Sequence, residues 1–422
     1  MDILSETPSL MDDVETWLAL DGDVSALRWD VYARLQVERP FLSHAGTMLV
    51  TRHRHCRAIL MDNKSFLNGY DKDSAQVRQA SDLLDAARRE KYHEVIDHQL
   101  RWLTSSDGTK HAGLRGLASR VFSLRAIETM RERIQLEIDN RLDELADQGE
   151  VELISQFAYQ LPLTIISEML DIDEDVRQVI HDAWQSMTKM IGTPPERVPF
   201  VIDEVHASMT RLEDHLKRTF ALRRGRQTTD LLARLLDAAE EEGGAIDQQD
   251  IMGVVAQMVI AGHQTTQDTI GNGLYELLRH PDQWGLLCDN AELVPNAVEE
   301  VLRFHTPGQM AYRTASEDIE IDGHHIAAGS HVTCLLGAAN RDPEVFSEPQ
   351  EFDVSRPNAK QHLAFGLGVH HCLGASLARM EAISFFATLA RRFPDVRLVD
   401  PNPSWLPNNF LHGLAELRVA LR

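Results

Sequence analysis

Basic residues, cysteine and aromatic side chains are all scarce in this 422-residue chain. Lys and Arg total 42 against 65 Asp and Glu, a net charge of −23, which argues against a protein whose main work is gripping phosphate backbones. No nucleic-acid partner is expected. The four cysteines, Cys56, Cys288, Cys334 and Cys372, lie far apart without a C-x-x-C pair, so neither a disulfide framework nor a Cys-rich zinc site is written here. Long apolar runs are missing too: the longest, near Ile251–Ala261, is broken by Gln257 and is shorter than the roughly 20 residues that cross a bilayer. The acidic start MDILSETPSLMDDVETWLAL has neither the basic opening nor the apolar core of a signal peptide. A cytoplasmic protein that stays off membranes is the expectation. Repeats, low-complexity tracts and Gly/Ser linkers are also absent. Residues 1–422 therefore read as one domain, with 1–25 as a short peripheral segment.

What is present is mostly helical periodicity. Apolar residues recur at helical spacing over Ala126–Ala146, Asp175–Met190, Val201–Leu222, Asp230–Glu242 and Asp250–Arg279. Strand patterns are confined to Thr47–Thr51 and the run Ile319–Leu336, where Gly-containing turns separate short apolar stretches. The fold class expected is mainly α with a small β part. The stretch IGTPPERVPF, Ile191–Phe200, carries a Pro-Pro pair that cannot continue a helix, and reads as a loop able to act as a lid.

The densest chemistry lies in HLAFGLGVHHCLGASLARME, His362–Glu381, where glycines surround one cysteine just before an amphipathic helix. Glycine lets a loop turn tightly and approach a flat ligand closely. A cysteine at a helix start also faces free N–H groups and the positive end of the helix dipole, which favour a thiolate. In the expected Asp250–Arg279 helix, Ala261-Gly262-His263-Gln264-Thr265-Thr266 is a cluster of small and hydroxyl residues. A mid-helix threonine at 265 can bond the carbonyl of Ala261, bend the helix and open a notch.

The order Phe365-Gly366-x-Gly368-x-x-x-Cys372-x-Gly374 resembles the cysteine loop of the cytochrome P-450 family of haem-thiolate monooxygenases. The resemblance runs from about residue 33 to the C-terminus and rests on four motifs in family order. It implies a triangular helical prism enclosing one haem b per chain, with Cys372 as the iron ligand and Phe365, Gly366 and Gly374 shaping its loop. Such a thiolate pushes electron density toward O–O cleavage. Ala261, Gly262, Gln264 and Thr265 match the stretch over the opposite haem face, Thr265 at the position of the oxygen-activating threonine. Gln264 departs from the family, which has Asp or Glu there. A carboxyl can take up and pass on a proton; an amide can only orient a water. Proton delivery through water ordered by Thr265, Gln264 or an inward-facing His263 is the expectation.

The same resemblance assigns His111 and Arg115, in DGTKHAGLR, together with Arg313 and His370 to the haem propionates, which paired cationic donors suit. Glu300 and Arg303, three apart on one helix face, match the family's E-x-x-R, with Arg356 as the third member of a structural lock. Met187, Met190, Ile260, Gln309, Met310 and Phe410 fall where the family's substrate segments lie. The activity implied is insertion of one atom of dioxygen into a small organic molecule, by hydroxylation or epoxidation in the tailoring of a secondary metabolite. A monomer drawing electrons from a separate ferredoxin or flavodoxin with its reductase is implied, and Arg115, Arg120 and Arg379 are the docking candidates. Other readings are a peroxide-driven or rearranging haem-thiolate enzyme and, outside enzymes, a haem gas sensor. Two motifs fail on spacing: His93 and His98 stand five apart rather than the four of a zinc protease helix, and Gly366-x-Gly368 lacks the third glycine of a dinucleotide loop.

Overall fold

The computed structural model describes residues 9–20, 23–44, 46–68, 75–170, 172, 176–191, 195–223 and 246–422. Helices dominate, and their starts follow local capping chemistry. Ser9 and Asp12 form a reciprocal capping box ahead of Leu10–Ala19, and Asp247 and Asp250 form another ahead of Gln248–Arg279. That second cap starts the long helix before Asp250, where periodicity alone begins it. The helix ends at His280 because Pro281 opens the next helix, Pro281–Asp289. Its 32 residues reach about 48 Å at 1.5 Å per residue, long enough to run through the whole core.

Glycine lets other helices close on this one. A Cβ at Gly273 would lie 2.7 Å from Phe386 of the Ala375–Arg392 helix and 2.9 Å from Val301 of the Val294–Phe304 helix. The helix cost of about 1 kcal/mol for glycine is thus exchanged for direct packing of three helices. Two large apolar clusters flank the long helix, one holding Val254–Ile260 with Leu114, Ile166 and Met187, the other holding Ile270 and Leu274 with Phe157, Phe385 and Phe386.

The helices expected over Ala126–Ala146, Asp175–Met190 and Val201–Leu222 are present as Leu124–Thr129 with Arg131–Leu145, Arg177–Met190 and Val198–Arg223. The helix read over Asp230–Glu242 lies outside the described residues. Within Ile191–Phe200, Pro195–Arg197 form a 3-10 turn and the next helix has already begun at Val198, with Pro199 in its first turn, where its missing N–H is harmless. The Leu10–Ala19 helix, inside the segment read as peripheral, buries Val14 and Trp17 beside Tyr32.

The β part is larger than the sequence pattern suggests. Strands β1 (Phe41–His44), β2 (Thr47–Val50), β3 (Phe66–Leu67), β5 (Met310–Ala315) and β8 (His331–Leu335) form a sheet in the order β1-β2-β8-β5-β3, with only β2 and β8 parallel. Strand β4 (Glu150–Glu152), β9 (Arg397–Leu398) and β10 (Arg418–Ala420) form a second sheet, and β6 (Ile319–Ile321) and β7 (His324–Ile326) a hairpin. Strand β5 carries Arg313 and, through its register with β8, sets that residue opposite Val332.

Candidate active site

Cys372 follows a loop whose shape is fixed by two left-handed glycines, Gly366 at φ 63° and Gly368 at φ 69°. At Gly368 a Cβ would also meet the Leu60 carbonyl oxygen at 2.8 Å, so no other residue fits without moving the His53–Met61 helix. The Cys372 N–H donates to the Phe365 carbonyl at 2.8 Å, which closes the loop on itself. Phe365 lies under the Arg379 guanidinium at 4.4 Å. Cys372 is accessible to solvent although its sulfur is set deep among protein atoms. Burial pushes its thiol above the usual range; the N–H groups of Gly374 and Ala375 and the charges of Arg115 and Arg379 pull it down without prevailing. The helix-start argument for a free thiolate is therefore corrected: desolvation outweighs it, and a cation at the sulfur is what would stabilise the anion.

Leu373, the residue after the cysteine, packs on the cluster that contains Met258, Val259 and Ile260 of the long helix. Immediately beyond these buried residues, Ala261 is exposed and Gly262 and Thr265 are partly so, whereas His263, Gln264 and Thr266 are buried. A helix flanked by two apolar clusters thus leaves Ala261 and Thr265, one turn apart, accessible on one face. Thr265 Oγ1 donates to the Ala261 carbonyl at 3.1 Å, and Thr266 and Thr269 bond four residues back in the same way.

Gln264 does not share that exposed face. Its Oε1 accepts from Trp184 Nε1 at 3.0 Å and its Nε2 donates to Asp268 Oδ1 at 2.7 Å. His263 faces away as well, its ring edge-on to Tyr159 and Trp184 and its Nδ1 3.3 Å from the Val259 carbonyl. Burial pushes its imidazole down to about 4, so it is neutral at pH 7.

The four residues assigned to propionates come from three separate segments and converge. His111 and His370 rings lie 4.1 Å apart; Asn68 Oδ1 accepts from Arg313 at 2.6 Å, and its Nδ2 is 3.4 Å from His370 Nδ1. Arg115 donates to the His371 carbonyl. Asp107, 3.2 Å from His370 Nε2, is the one carboxylate in ion-pair contact with this group among the described residues. His111 Nε2 is buried without a hydrogen-bond partner, and burial first, then His370 and Arg115, push its imidazole down to about 4. Two guanidiniums, two imidazoles and an orphaned buried nitrogen make a cradle short of negative charge, which fits the pair of carboxylates a haem carries. With Cys372 as a single soft donor and glycines where a flat ring must approach, the residues present fit that group. Among the described residues no group of three or more His, Cys, Asp or Glu side chains is arranged to hold a different metal.

Glu300, Arg303 and Arg356 form a buried lock. Arg303 donates to both Glu300 oxygens at 2.7 and 2.8 Å, and Arg356 Nε reaches Glu300 Oε1 at 3.1 Å. Further guanidinium N–H groups donate to the carbonyls of Asn340, Ser347, Glu348, Pro349 and Glu351. Of the docking candidates, Arg120 is exposed, Arg115 is tied to the cysteine loop, and Arg379 is held in a two-pronged ion pair by Glu299.

The residues placed in the substrate segments separate by contact. Met190 and Phe410 are partly accessible, Phe410 stacked on Tyr312 at 5.8 Å, while Met187, Ile260 and Met310 are buried in apolar clusters. Gln309 is fully buried: its Oε1 accepts from Tyr32 and its Nε2 donates to the Thr306 carbonyl. Sequence reasoning missed Asn68 and Trp184, whose partners are remote in the chain, and Asp268, which lies two residues past the Ala261–Thr266 motif although its partner Gln264 is within it. Asp107 was within reach, four residues before His111 in the same stretch.

A family model described as Cytochrome P450 matches residues 85–284 and 288–411. The chain is 34% identical over 417 residues to the cytochrome P450 monooxygenase PikC of Streptomyces venezuelae, covering 96% of this chain and 93% of that one. It is 32% identical over 380 residues to the polyketide biosynthesis cytochrome P450 PksS of Bacillus subtilis, covering 88% of each. The crystal structure of epothilone D-bound cytochrome P450epoK superposes with a TM-score of 0.83 at 28% identity, over 93% of this chain and 96% of that one.

Proposed function

This chain belongs to the cytochrome P450 family of haem-iron oxidoreductases, and from that premise we propose that it inserts one atom of dioxygen into a small organic molecule during the tailoring of a secondary metabolite. One haem b per chain, bound through Cys372, supplies dioxygen activation at the iron. The observation that carries the reading is the pairing of an accessible cysteine on a glycine-shaped loop with an accessible Ala261–Thr265 face in a largely buried helix. Arg115, Arg313, His111 and His370 would hold the propionates. Thr265, with its hydroxyl proton on the Ala261 carbonyl, keeps its lone pairs available on that face. Glu300, Arg303 and Arg356 keep the chain before the cysteine loop rigid.

The substrate assignment is supported by the relative named for polyketide biosynthesis and by the relative whose structure holds epothilone D. We read the protein as a cytoplasmic monomer reduced by a separate ferredoxin or flavodoxin; among the described residues no helix is long and apolar enough to cross a membrane. The exposed Arg120 is the docking candidate placed to steer such an acidic donor. The test is the carbon monoxide spectrum of the reduced protein. The red-displaced band of thiolate-ligated haem is expected in the wild type and its loss in Cys372→Ser; a spectrum indifferent to that substitution overturns the assignment.

A further inference from the structure

The oxygen-side helix has an amide at 264 where proton traffic calls for an acid, yet it buries a carboxyl one turn later. At about 100° per residue, Asp268 falls between Gln264 and Thr265 around the helix, on the stripe that also holds Ala261 and Asn272. Asp268 is 1% exposed. Its Oδ1 accepts from Gln264 Nε2 at 2.7 Å and more weakly from Gln267 Nε2 at 3.5 Å, while its Oδ2 has no partner. No cation pairs with it among the described residues. Two further observations show that the position is built. A Cβ at Gly413 would lie 2.3 Å from Asp268 Oδ1, so the C-terminal loop leaves room for this carboxyl and nothing else. Gln264 is itself oriented by the Trp184 indole, which fixes its NH2 toward Asp268.

We propose that Asp268 holds the proton that the Ala261–Thr265 face draws on, with Gln264 as its positioning residue. The proton sits on the unpartnered Oδ2 and passes to the Thr265 hydroxyl as that hydroxyl leaves the Ala261 carbonyl and gives its own proton to the dioxygen being reduced. The carboxylate left behind regains a proton from solvent. A run of polar groups leads from the next turn toward the surface: Asn272 donates to the His412 carbonyl at 2.8 Å, and His412 Nε2 is 3.1 Å from His305 Nδ1. His305 Nε2 is 2.9 Å from Glu276, and Glu276 is 3.4 Å from His280, whose side chain is 37% exposed. His412 Nδ1 and Asn272 Oδ1 are, like Asp268 Oδ2, buried and unpartnered.

Protonation at neutral pH agrees with this geometry: burial pushes the Asp268 carboxyl from its usual 3.8 up to about 8, against the opposing pull of the Gln264 hydrogen bond. A group held this way contributes stability below its unfolded value and loses it as pH rises through the folded one. Asparagine, the neutral isostere, lacks that loss.

The inference rests on the monooxygenase reading, and the carbon monoxide band of Asp268→Asn separates the two. An intact band with altered proton behaviour is expected; a band missing from the wild type as well sinks the reading itself. Infrared spectra of the haem-loaded protein at neutral pH should show a protonated carboxyl band that disappears in Asp268→Asn. Melting temperatures of the wild type should fall, relative to the variant, between about pH 4 and about pH 8. Dioxygen consumption in H2O and D2O, with NAD(P)H, a ferredoxin and its reductase supplying both electrons, gives the functional readout. The Asn variant, which keeps the size of the side chain, should react about a hundredfold more slowly, the low end of general-acid contributions. An ionised Asp268 at neutral pH, or an Asn variant that reacts at the wild-type rate in both solvents, overturns the proposal.

Discussion

Replacing Glu300 by glutamine tests the buried lock at its centre. The carboxylate accepts four hydrogen bonds, from Arg303 Nε and Nη2, Arg356 Nε and the Asp353 N–H. All three charged side chains are buried, with Glu300 and Arg303 fully so. An amide keeps one acceptor oxygen but turns an NH2 against guanidinium donors, and leaves two buried cations with no anion. Removing one partner of a buried pair costs about 3–5 kcal/mol. Unfolding entropy near 2.1 cal/mol/K per residue scales to about 0.9 kcal/mol/K for 422 residues, so about 4 kcal/mol corresponds to a fall of about 4–5 °C in Tm. Far-UV circular dichroism melts of the two proteins, each melting as one unit, would measure it. A shift under about 1 °C would mean that the lock is worth no more than an exposed ion pair, and the reasoning from burial would be wrong.

Other substitutions probe separate parts of the site. Gly368→Ala is expected to weaken haem retention, because alanine costs about 1–2 kcal/mol in the left-handed region and its Cβ meets the Leu60 carbonyl; dialysis against apomyoglobin, with unchanged haem loss as the adverse result, checks it. Burial alone would raise the Glu299 carboxyl, but hydrogen bonds from His362 and Arg379 bring it down to about 2 from 4.5, so its stabilisation is present above about pH 4.5 and is lost as pH falls toward 2. Acid unfolding of Glu299→Gln should accordingly lack part of the wild-type slope in that window, and superimposable curves would contradict the pairing. Trp184→Phe removes the donor that orients Gln264; product formed per NAD(P)H consumed should fall with the carbon monoxide band unchanged, and full coupling would show that the orientation is idle. Arg120→Glu should slow reduction by an acidic donor and flatten its salt dependence, whereas an unaltered salt slope would place docking elsewhere.

The features legible in the sequence are those whose physics is local. Helical periodicity, the threonine back-bond to Ala261 and the glycine-shaped cysteine loop each act within a few residues, so spacing alone exposes them. Strand β5 escaped because its alternation is broken by Arg313, which reaches Asn68 on a distant segment. Strands β4, β9 and β10, of two or three residues, carry too little pattern to be seen without their partners.

Tertiary structure decided what the local chemistry amounts to. A thiol that a helix start would ionise is instead pushed up by burial, since desolvation depends on every neighbour and not on the helix alone. Gln264, read as an isolated replacement of an acid, is joined to Trp184 from another helix and to Asp268 against Gly413 of the C-terminal loop. The sequence by itself determined which residue types stand at which spacing; the fold determined which of them lose water, which meet, and hence which can hold charge or a proton.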